Sequence, residues 1–144
     1  MASPPSTGSA GRIATRKPAR LSVLVTGASG GIGRAVSRAC AAAGWYVGVH
    51  FHTQKAEAGK TLRAVRVTGG RGDLYEADIR DAEAVRRMVD LFCLQAPRPY
   101  AYICNAGIAV SHFLVRQREE QWADVIRTNL TGTFHCLQAM ASPL

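Results

Sequence analysis

The sequence has no long hydrophobic run and no closely paired cysteines. Nothing in it approaches the roughly 18 apolar residues that a membrane-spanning helix needs, so no membrane association is expected. The cysteines, Cys40, Cys93, Cys104 and Cys136, form no CxxC pair, and no histidine stands at metal-ligand spacing from them. We therefore expect no metal site. Buried, reduced thiols are the predicted state, which suits a reducing, cytoplasmic compartment.

Acidic residues are absent from the first twenty positions, which are instead rich in Ser, Pro, Gly and Arg. Arg12, Arg16, Lys17 and Arg20 supply half of the formal net charge of +8. Without hydrophobic periodicity, residues 1–20 are predicted to be a disordered basic leader. A targeting peptide is the alternative, because the segment contains Arg and Ser and lacks acids. The chain shows no basic stripe with interleaved aromatic residues, so nucleic-acid binding is not expected.

From residue 21 onward, short β-branched runs alternate with helical patterns, which indicates a single α/β domain over residues 21–144. The predicted strands lie at about 21–26, 46–50, 72–76 and 101–104, and the predicted helices at about 31–43, 54–67, from 81, and 119–140. In the third helix, Val85, Met88, Val89 and Phe92 share one face, which should pack on the sheet. Alternation with short loops predicts a parallel sheet with right-handed crossovers.

A glycine-rich segment follows the first predicted strand directly: Thr26, Gly27, Ala28, Ser29, Gly30, Gly31, Ile32 and Gly33. A strand, a glycine-rich turn and a helix start in this order are typical of a dinucleotide site. We expect Gly27 to make the tight turn, Gly31 to let the backbone approach a pyrophosphate, and Gly33 to let the helix pack closely on the strand. The free N–H groups and the dipole of the helix would face the phosphates. A glycine-rich turn without a ligand is the alternative.

The GxxxGxG spacing after Thr26 resembles the signature of the short-chain dehydrogenase/reductase family. Three further segments follow in the family's order, at residues 78–79, 105–107 and 128–133. Cys104 stands where the family has the first Asn of its Asn-Asn-Ala-Gly motif. The resemblance covers about residues 20–144, and residues 107–140 look most like the 3-oxoacyl-[acyl-carrier-protein] reductases. It implies a Rossmann-type doubly wound parallel sheet, half complete, with strand order 3-2-1-4.

The resemblance also implies roles for residues outside the glycine-rich segment. Asp78 would accept a hydrogen bond from the adenine amino group, with the Ile79 backbone beside it. From the residues alone, Asp78 or Asp81 is a candidate cap for the third helix.

Asn105, Ala106 and Gly107 would let the backbone approach the cofactor's ribose, and a plain turn is the alternative reading of this segment. Asn129 would join the catalytic tetrad through a water that leads to a catalytic lysine. An Asn inside a helix is unfavourable by propensity, which indicates a specific partner. The sequence lacks the family's lysine, however, so Asn129 is expected to be left without a partner.

The end of the second predicted strand favours NADP(H) over NAD(H). Enzymes that prefer NAD usually carry an acid there, which repels a 2′-phosphate. Here the residues after His50 include His52, Thr53 and Lys55, and no acid occurs before Glu57. We therefore expect His52, Thr53, Arg34 or Lys55 to bind the phosphate. Against this, Gly30 stands where NADP-binding members of the family often carry Arg or Lys, and the histidines are alternatively solvated loop residues.

The implied activity is an NADPH-dependent oxidoreductase that reduces a 3-oxoacyl thioester or similar ketone by hydride transfer. In the family a Tyr protonates the carbonyl oxygen, and a Lys four positions later lowers the pKa of that Tyr. None of Tyr46, Tyr75, Tyr100 and Tyr102 has a lysine four positions later, so the domain is interpreted as truncated before the catalytic Ser and Tyr-x-x-x-Lys. A truncated, catalytically inactive nucleotide-binding remnant is the alternative.

The expected partners follow from the same resemblance. The complete enzyme would take a small-molecule or carrier-bound ketone and would form a homo-oligomer. The last predicted helix begins with an apolar face that contains Trp122, Val125 and Ile126, and family members use this helix in subunit contacts. We therefore expect that face to be exposed in a single chain.

Overall fold

A computed structural model describes residues 21–141 of the chain and shows a four-stranded parallel sheet with helices on both faces. The strands are β1 (Ser22–Val25), β2 (Tyr46–Phe51), β3 (Arg71–Glu76) and β4 (Pro99–Ile103). Their order is β3-β2-β1-β4 and every pair is parallel, which confirms the predicted fold and strand order. The predicted leader, residues 1–20, lies outside the described residues, as do residues 142–144 of the predicted domain.

The helices are α1 (Gly31–Ala42), α2 (Lys55–Val67), α3 (Ala82–Gln95), α4 (Glu119–Ile126) and α5 (Thr133–Ala141). A 3-10 turn at Leu114–Arg116 precedes α4. The prediction of one continuous last helix is wrong, because a π-helical segment, Arg127–Gly132, separates α4 from α5. Between residues 21 and 141, no helix is long and apolar enough to cross a membrane.

Two apolar clusters lie on opposite faces of the sheet. Because side chains alternate along a strand, Val23 and Val25 of β1 face the α1–α2 side, whereas Leu24 faces the α3–α5 side. All three are completely buried. The predicted apolar face of α3 packs as expected, since Val85, Met88, Val89 and Phe92 are its buried residues. Burial on both faces explains why β1 and β2 are buried at every position, whereas the edge strand β3 has exposed residues.

Strand β4 begins earlier than predicted and contains an irregularity. Ser22 lies opposite Pro99 but Val23 lies opposite Ala101, so Tyr100 is an extra residue in the ladder. Proline cannot donate a ladder hydrogen bond, and it is tolerated at the start of a strand or at a bulge. The Tyr100 ring packs edge-on against Trp45, with the ring centroids 5.6 Å apart.

Candidate functional site

A cleft of about 570 Å³ lies beyond the carboxyl ends of the strands, where parallel α/β sheets bind their ligands. Its walls contain the following residues: Gly27, Ser29, Gly30, Gly31, Ile32, Gly33, His50, Phe51, His52, Thr53, Gln54, Asp78, Ile79, Arg80, Asn105, Ala106, Gly107, Ile108 and Thr128. The fold thus gathers the predicted cofactor residues into one cleft, except for Ala28 and the two phosphate candidates Arg34 and Lys55. Ala28 is completely buried beneath the turn, and Asn129 is not part of the wall.

Gly27 makes the tight turn that the sequence predicts, whereas Gly33 is closely packed against that turn rather than against the strand. Gly27 has a φ of +63°, and a β-carbon on Gly27 would lie only 2.7 Å from the Ala106 Cα. A β-carbon on Gly33 would lie 2.5 Å from the Gly27 carbonyl oxygen, so Gly33 packs against the turn itself. The N-cap of α1 is Gly30, which has no side chain that could accept hydrogen bonds from the amides of the first turn. The N–H groups of that turn are therefore available to an anion.

A hydrogen-bonded contact between the first and last strands braces this turn. The Thr26 hydroxyl donates to the Ile103 carbonyl at 3.3 Å and accepts from the amides of Asn105 (2.9 Å) and Ala106 (3.1 Å). The Asn105 side-chain amide donates to the carbonyls of Thr26 (2.9 Å) and Gly27 (3.2 Å). The side chain of Asn105 therefore holds the two turns together, while residues 105–107 still form one wall of the cleft.

The sequence reasoning missed the role of His50, which it placed at the end of the second predicted strand without assigning it a function. His50 is 2% exposed, at the floor of the cleft, and burial lowers the pKa of its ring below the ordinary value. Its Nδ1 accepts from the Gly27 amide at 2.9 Å, and its Nε2 donates to the Ala77 carbonyl at 3.1 Å. The only signal in the sequence was a polar residue inside an apolar run. His52, by contrast, is exposed at the rim.

Asp78 lies after β3 in the wall of the cleft and pairs with Arg80, a residue that the sequence reasoning also missed. The Arg80 Nε lies 3.0 Å from both carboxylate oxygens, and its Nη2 lies 2.7 Å from Oδ2. These bonds lower the pKa of Asp78 to about 2. His52 adds a longer contact of 3.8 Å to the same carboxylate. Asp78 does not cap α3, because that role belongs to Asp81, which accepts from two amides of the first turn.

Ile79 contributes its backbone to the same part of the cleft. Its side chain is buried, with 5% exposed, and its carbonyl accepts a hydrogen bond of 3.0 Å from Nδ1 of His135 on α5.

Arg34 is not free to bind a phosphate, contrary to the expectation. Its Nη2 lies 2.9 Å from Glu57 Oε2, and its Nε donates to the Thr61 hydroxyl at 3.1 Å. Lys60 also contacts the Glu57 carboxylate, and the two cations lower the pKa of Glu57. The negative charge of Glu57 is therefore neutralised by Arg34 and Lys60.

The expectation that Asn129 lacks a partner is wrong. Its Oδ1 accepts from the Ile108 amide at 2.8 Å and its Nδ2 donates to the Ile108 carbonyl at 2.9 Å. Asn129 lies in the π-helical segment, whose extra backbone residue distinguishes it from a continuous helix. It thereby connects the last helical region to the loop that follows β4.

All four cysteines lie within residues 21–141 and are free thiols, as predicted, but they are not all buried. Cys136 is buried, which raises its pKa to about 12. Cys104 is exposed because it follows the last residue of β4, at the edge of the sheet. No cluster of His, Cys, Asp and Glu that could hold a metal occurs in the described part of the chain.

A profile of the short chain dehydrogenase family matches residues 22–144. The 3-oxoacyl-[acyl-carrier-protein] reductase FabG of Staphylococcus aureus (strain Mu50) is 36% identical over 117 residues, which are 81% of this chain and 48% of that protein. The corresponding reductase of Synechocystis is 34% identical over 118 residues, 82% of this chain and 48% of that protein. The chain thus spans about half the length of these relatives.

Solved structures agree on the fold. A short-chain dehydrogenase/reductase from Burkholderia xenovorans superimposes with a TM-score of 0.81 at 24% identity, covering 88% of this chain and 53% of that one. A dehydrogenase from Burkholderia cenocepacia with bound NADP gives a TM-score of 0.76 at 23% identity, covering 88% and 49%. The fold, the glycine-rich turn and the family profile lead to the same assignment. The chain belongs to the short-chain dehydrogenase family.

Proposed function

We propose that this chain forms the NADP(H)-binding part of an oxidoreductase that reduces a 3-oxoacyl thioester or a similar ketone. The observation that carries the proposal is the cleft itself. It joins the uncapped start of α1 to the polar ends of β2 and β3 and to the small residues after β4. NADP(H) has an anionic pyrophosphate at its centre and a 2′-phosphate at its adenosine end, and this cleft has donors at its centre and polar groups at one end.

The residues present fit such a cofactor. The Gly27 turn and the first amides of α1 would hold the pyrophosphate, because a helix start without a side-chain cap offers free N–H groups. Asp78 and the Ile79 backbone would hold the adenine. Residues 105–107 would lie against the ribose near the nicotinamide, which supplies the hydride when the cofactor is bound.

The charges around the cleft support a 2′-phosphate. Among the described residues of the cleft wall, Asp78 is the sole acid, and its charge is paired with Arg80. Glu57, the next acid after β2, is paired with Arg34 and Lys60. No uncompensated carboxylate in this wall would therefore repel the phosphate, and the exposed residues His52 and Thr53 of the wall would donate to it.

The proposed substrate is a small-molecule or carrier-bound ketone, supported by the similarity to the 3-oxoacyl reductases. A homo-oligomer belongs to the same proposal, because α4, the π-helical segment and α5 expose large apolar residues, namely Trp122, Ile126, Leu130, Phe134 and Leu137. A cytoplasmic location is supported by the four free thiols, which suit a reducing compartment.

One sequence feature favours a second candidate function. No Tyr-x-x-x-Lys occurs in the 144 residues, and this pair would supply the proton for ketone reduction. A chain of these residues alone would bind the nucleotide without reducing a ketone. Asn129 is then a structural residue that holds Ile108 rather than part of a proton relay.

Two measurements on the 144-residue chain test the proposal. Titration with NADPH and with NADH, followed by cofactor fluorescence, should show NADPH binding about tenfold more tightly, which equals about 1.4 kcal/mol. An assay with NADPH and a 3-oxoacyl thioester should show no oxidation of the cofactor. Tighter binding of NADH, or no binding of either cofactor, would overturn the proposed cofactor. Turnover by this chain would overturn the second candidate.

A further inference from the structure

His50 is a buried titratable residue to which the proposed function assigns no role. Its side chain lies at the floor of the cleft, and both of its ring nitrogens form hydrogen bonds to backbone. One bond reaches the turn after β1, and the other reaches Ala77, which directly follows β3. The ring therefore joins the part of the cleft that would hold the pyrophosphate to the part that would hold the adenine.

The two partners require one particular form of the ring. An imidazole nitrogen accepts a hydrogen bond only when it carries no proton. The Gly27 amide is a donor, so Nδ1 must be unprotonated, and the Ala77 carbonyl is an acceptor, so Nε2 must carry the proton. Only the neutral ring with its proton on Nε2 satisfies both. A second proton on Nδ1 would place two N–H groups head to head across 2.9 Å.

The bond to Gly27 acts on a turn whose geometry has little freedom. Gly27 is in the left-handed region, and the backbone of Ala106 lies too close to allow a side chain there. The His50 carbonyl also accepts from the Ala28 amide at 2.9 Å. Strand β2 thus holds the turn through both its backbone and the His50 ring, and a change at the ring would move the turn that faces the cleft.

We propose that His50 is a positioning residue for the dinucleotide, and that the neutral ring sets the distance between the Gly27 turn and the end of β3. The inference rests on the proposed function of the cleft as an NADP(H) site. Cofactor affinity then falls when His50 gains a proton.

The surroundings of His50 favour the neutral form at physiological pH. Burial lowers its pKa, and the facing titratable groups are His52, from its own strand end, and Asp78, after β3. Arg80 compensates the Asp78 carboxylate, and the turn formed by residues 26–30 carries no titratable side chain.

The test compares His50→Asn and His50→Phe with the unchanged chain. Asparagine places an amide oxygen near the position of Nδ1, so it can accept from Gly27 but does not titrate, whereas phenylalanine removes both bonds. His112→Asn is the matched control, since His112 lies in an exposed loop. NADP⁺ binding is measured by calorimetry from about pH 7.5 to about pH 4.5, because burial lowers the pKa of His50 and so extends its titration below the ordinary histidine range.

Because the 2′-phosphate of the cofactor also titrates, the informative quantity is the difference between variants. We expect the affinity of the unchanged chain and of His112→Asn to fall up to about tenfold more across this range than that of His50→Asn, since one pKa unit is a tenfold effect. At pH 7.5 His50→Asn should bind within a few-fold of the unchanged chain. His50→Phe should bind weakly at every pH.

The tautomer is checked independently of the cofactor. Imidazole ¹⁵N chemical shifts of the cofactor-free chain should show Nδ1 unprotonated and Nε2 protonated at pH 7. The opposite tautomer, or an equal pH slope in His50→Asn and the unchanged chain, overturns the inference and leaves the cofactor proposal standing. Failure of the unchanged chain to bind NADP⁺ at pH 7.5 overturns the proposed function and the inference with it.

Discussion

The side chain of Asn129 pairs with the backbone of Ile108 in the way that two peptide groups pair in a sheet. One bond of 2.8 Å runs from the Ile108 amide to Oδ1, and another of 2.9 Å runs from Nδ2 to the Ile108 carbonyl. The Asn129 carbonyl meanwhile accepts from the Thr133 hydroxyl at 2.7 Å. The π-helical segment and the loop after β4 are therefore one hydrogen-bonded unit beside the cleft.

Replacement of Asn129 by Ala should loosen this loop. Both bonds to Ile108 are lost, and since they are exposed we expect a cost of about 1 kcal/mol in the free energy of unfolding. Hydrogen exchange of the Ile108 amide should accelerate, while exchange in β1 stays unchanged. Thr131→Ala, in the same segment, is the control. Unaltered protection of Ile108 in Asn129→Ala would contradict the role assigned to this pair.

His52→Asp should reverse the cofactor preference. A carboxylate at the rim would repel a 2′-phosphate and accept hydrogen bonds from the ribose hydroxyls of NADH. We expect NADPH affinity to fall about tenfold or more and NADH affinity to rise, each measured by fluorescence titration. His112→Asp adds the same charge on an exposed loop and should change neither affinity. Equal loss of NADPH affinity in both variants would indicate only an effect of net charge.

The strands and helices could be predicted because their signals are local in the sequence, whereas the order of the strands was implied by the family resemblance. Apolar strands, the glycine-rich turn and the face of α3 each lie within a few neighbouring residues. The bonds that shape the cleft are not local. His50 contacts Ala77, Arg34 contacts Glu57, and Asn129 contacts Ile108, pairs separated by 27, 23 and 21 positions.

The break in the last helix has the same kind of cause. The apolar pattern of residues 119–140 is that of a continuous helix, and nothing in it marks the position of the π-helical turn. The turn holds Asn129, whose partner Ile108 belongs to another part of the chain.

Two glycine-to-alanine substitutions should change the free energy of unfolding in opposite directions, because one glycine is tightly packed and the other lies in open space within a helix. A methyl group on Gly33 would meet the Gly27 carbonyl and the Ala28 Cα, so Gly33→Ala should lower the free energy of unfolding by about 1–3 kcal/mol. Gly59 lies within α2 and its β-carbon would meet only Arg63 Nη1 at 3.7 Å. Gly59→Ala should therefore stabilise the chain by about 0.5–1 kcal/mol. Urea denaturation measures both, and destabilisation by Gly59→Ala would contradict the open space at that position.

Loss of Arg80 should change how stability depends on pH in the acid range. The folded-state pKa of Asp78 is lowered to about 2 from its ordinary 3.8, and the bonds from Arg80 are the main cause. A lowered carboxylate pKa contributes stability that is complete above the ordinary value and is lost as pH falls toward about 2. In Arg80→Met the Asp78 pKa should return toward its ordinary value. The free energy of unfolding should then vary less between pH 3.8 and about pH 2. Arg86→Met, which removes an exposed pair with Glu83, is the control. The Asp78 carboxyl ¹³C shift measures the pKa directly, and an unchanged titration in Arg80→Met would show that Arg80 does not hold the charge of Asp78.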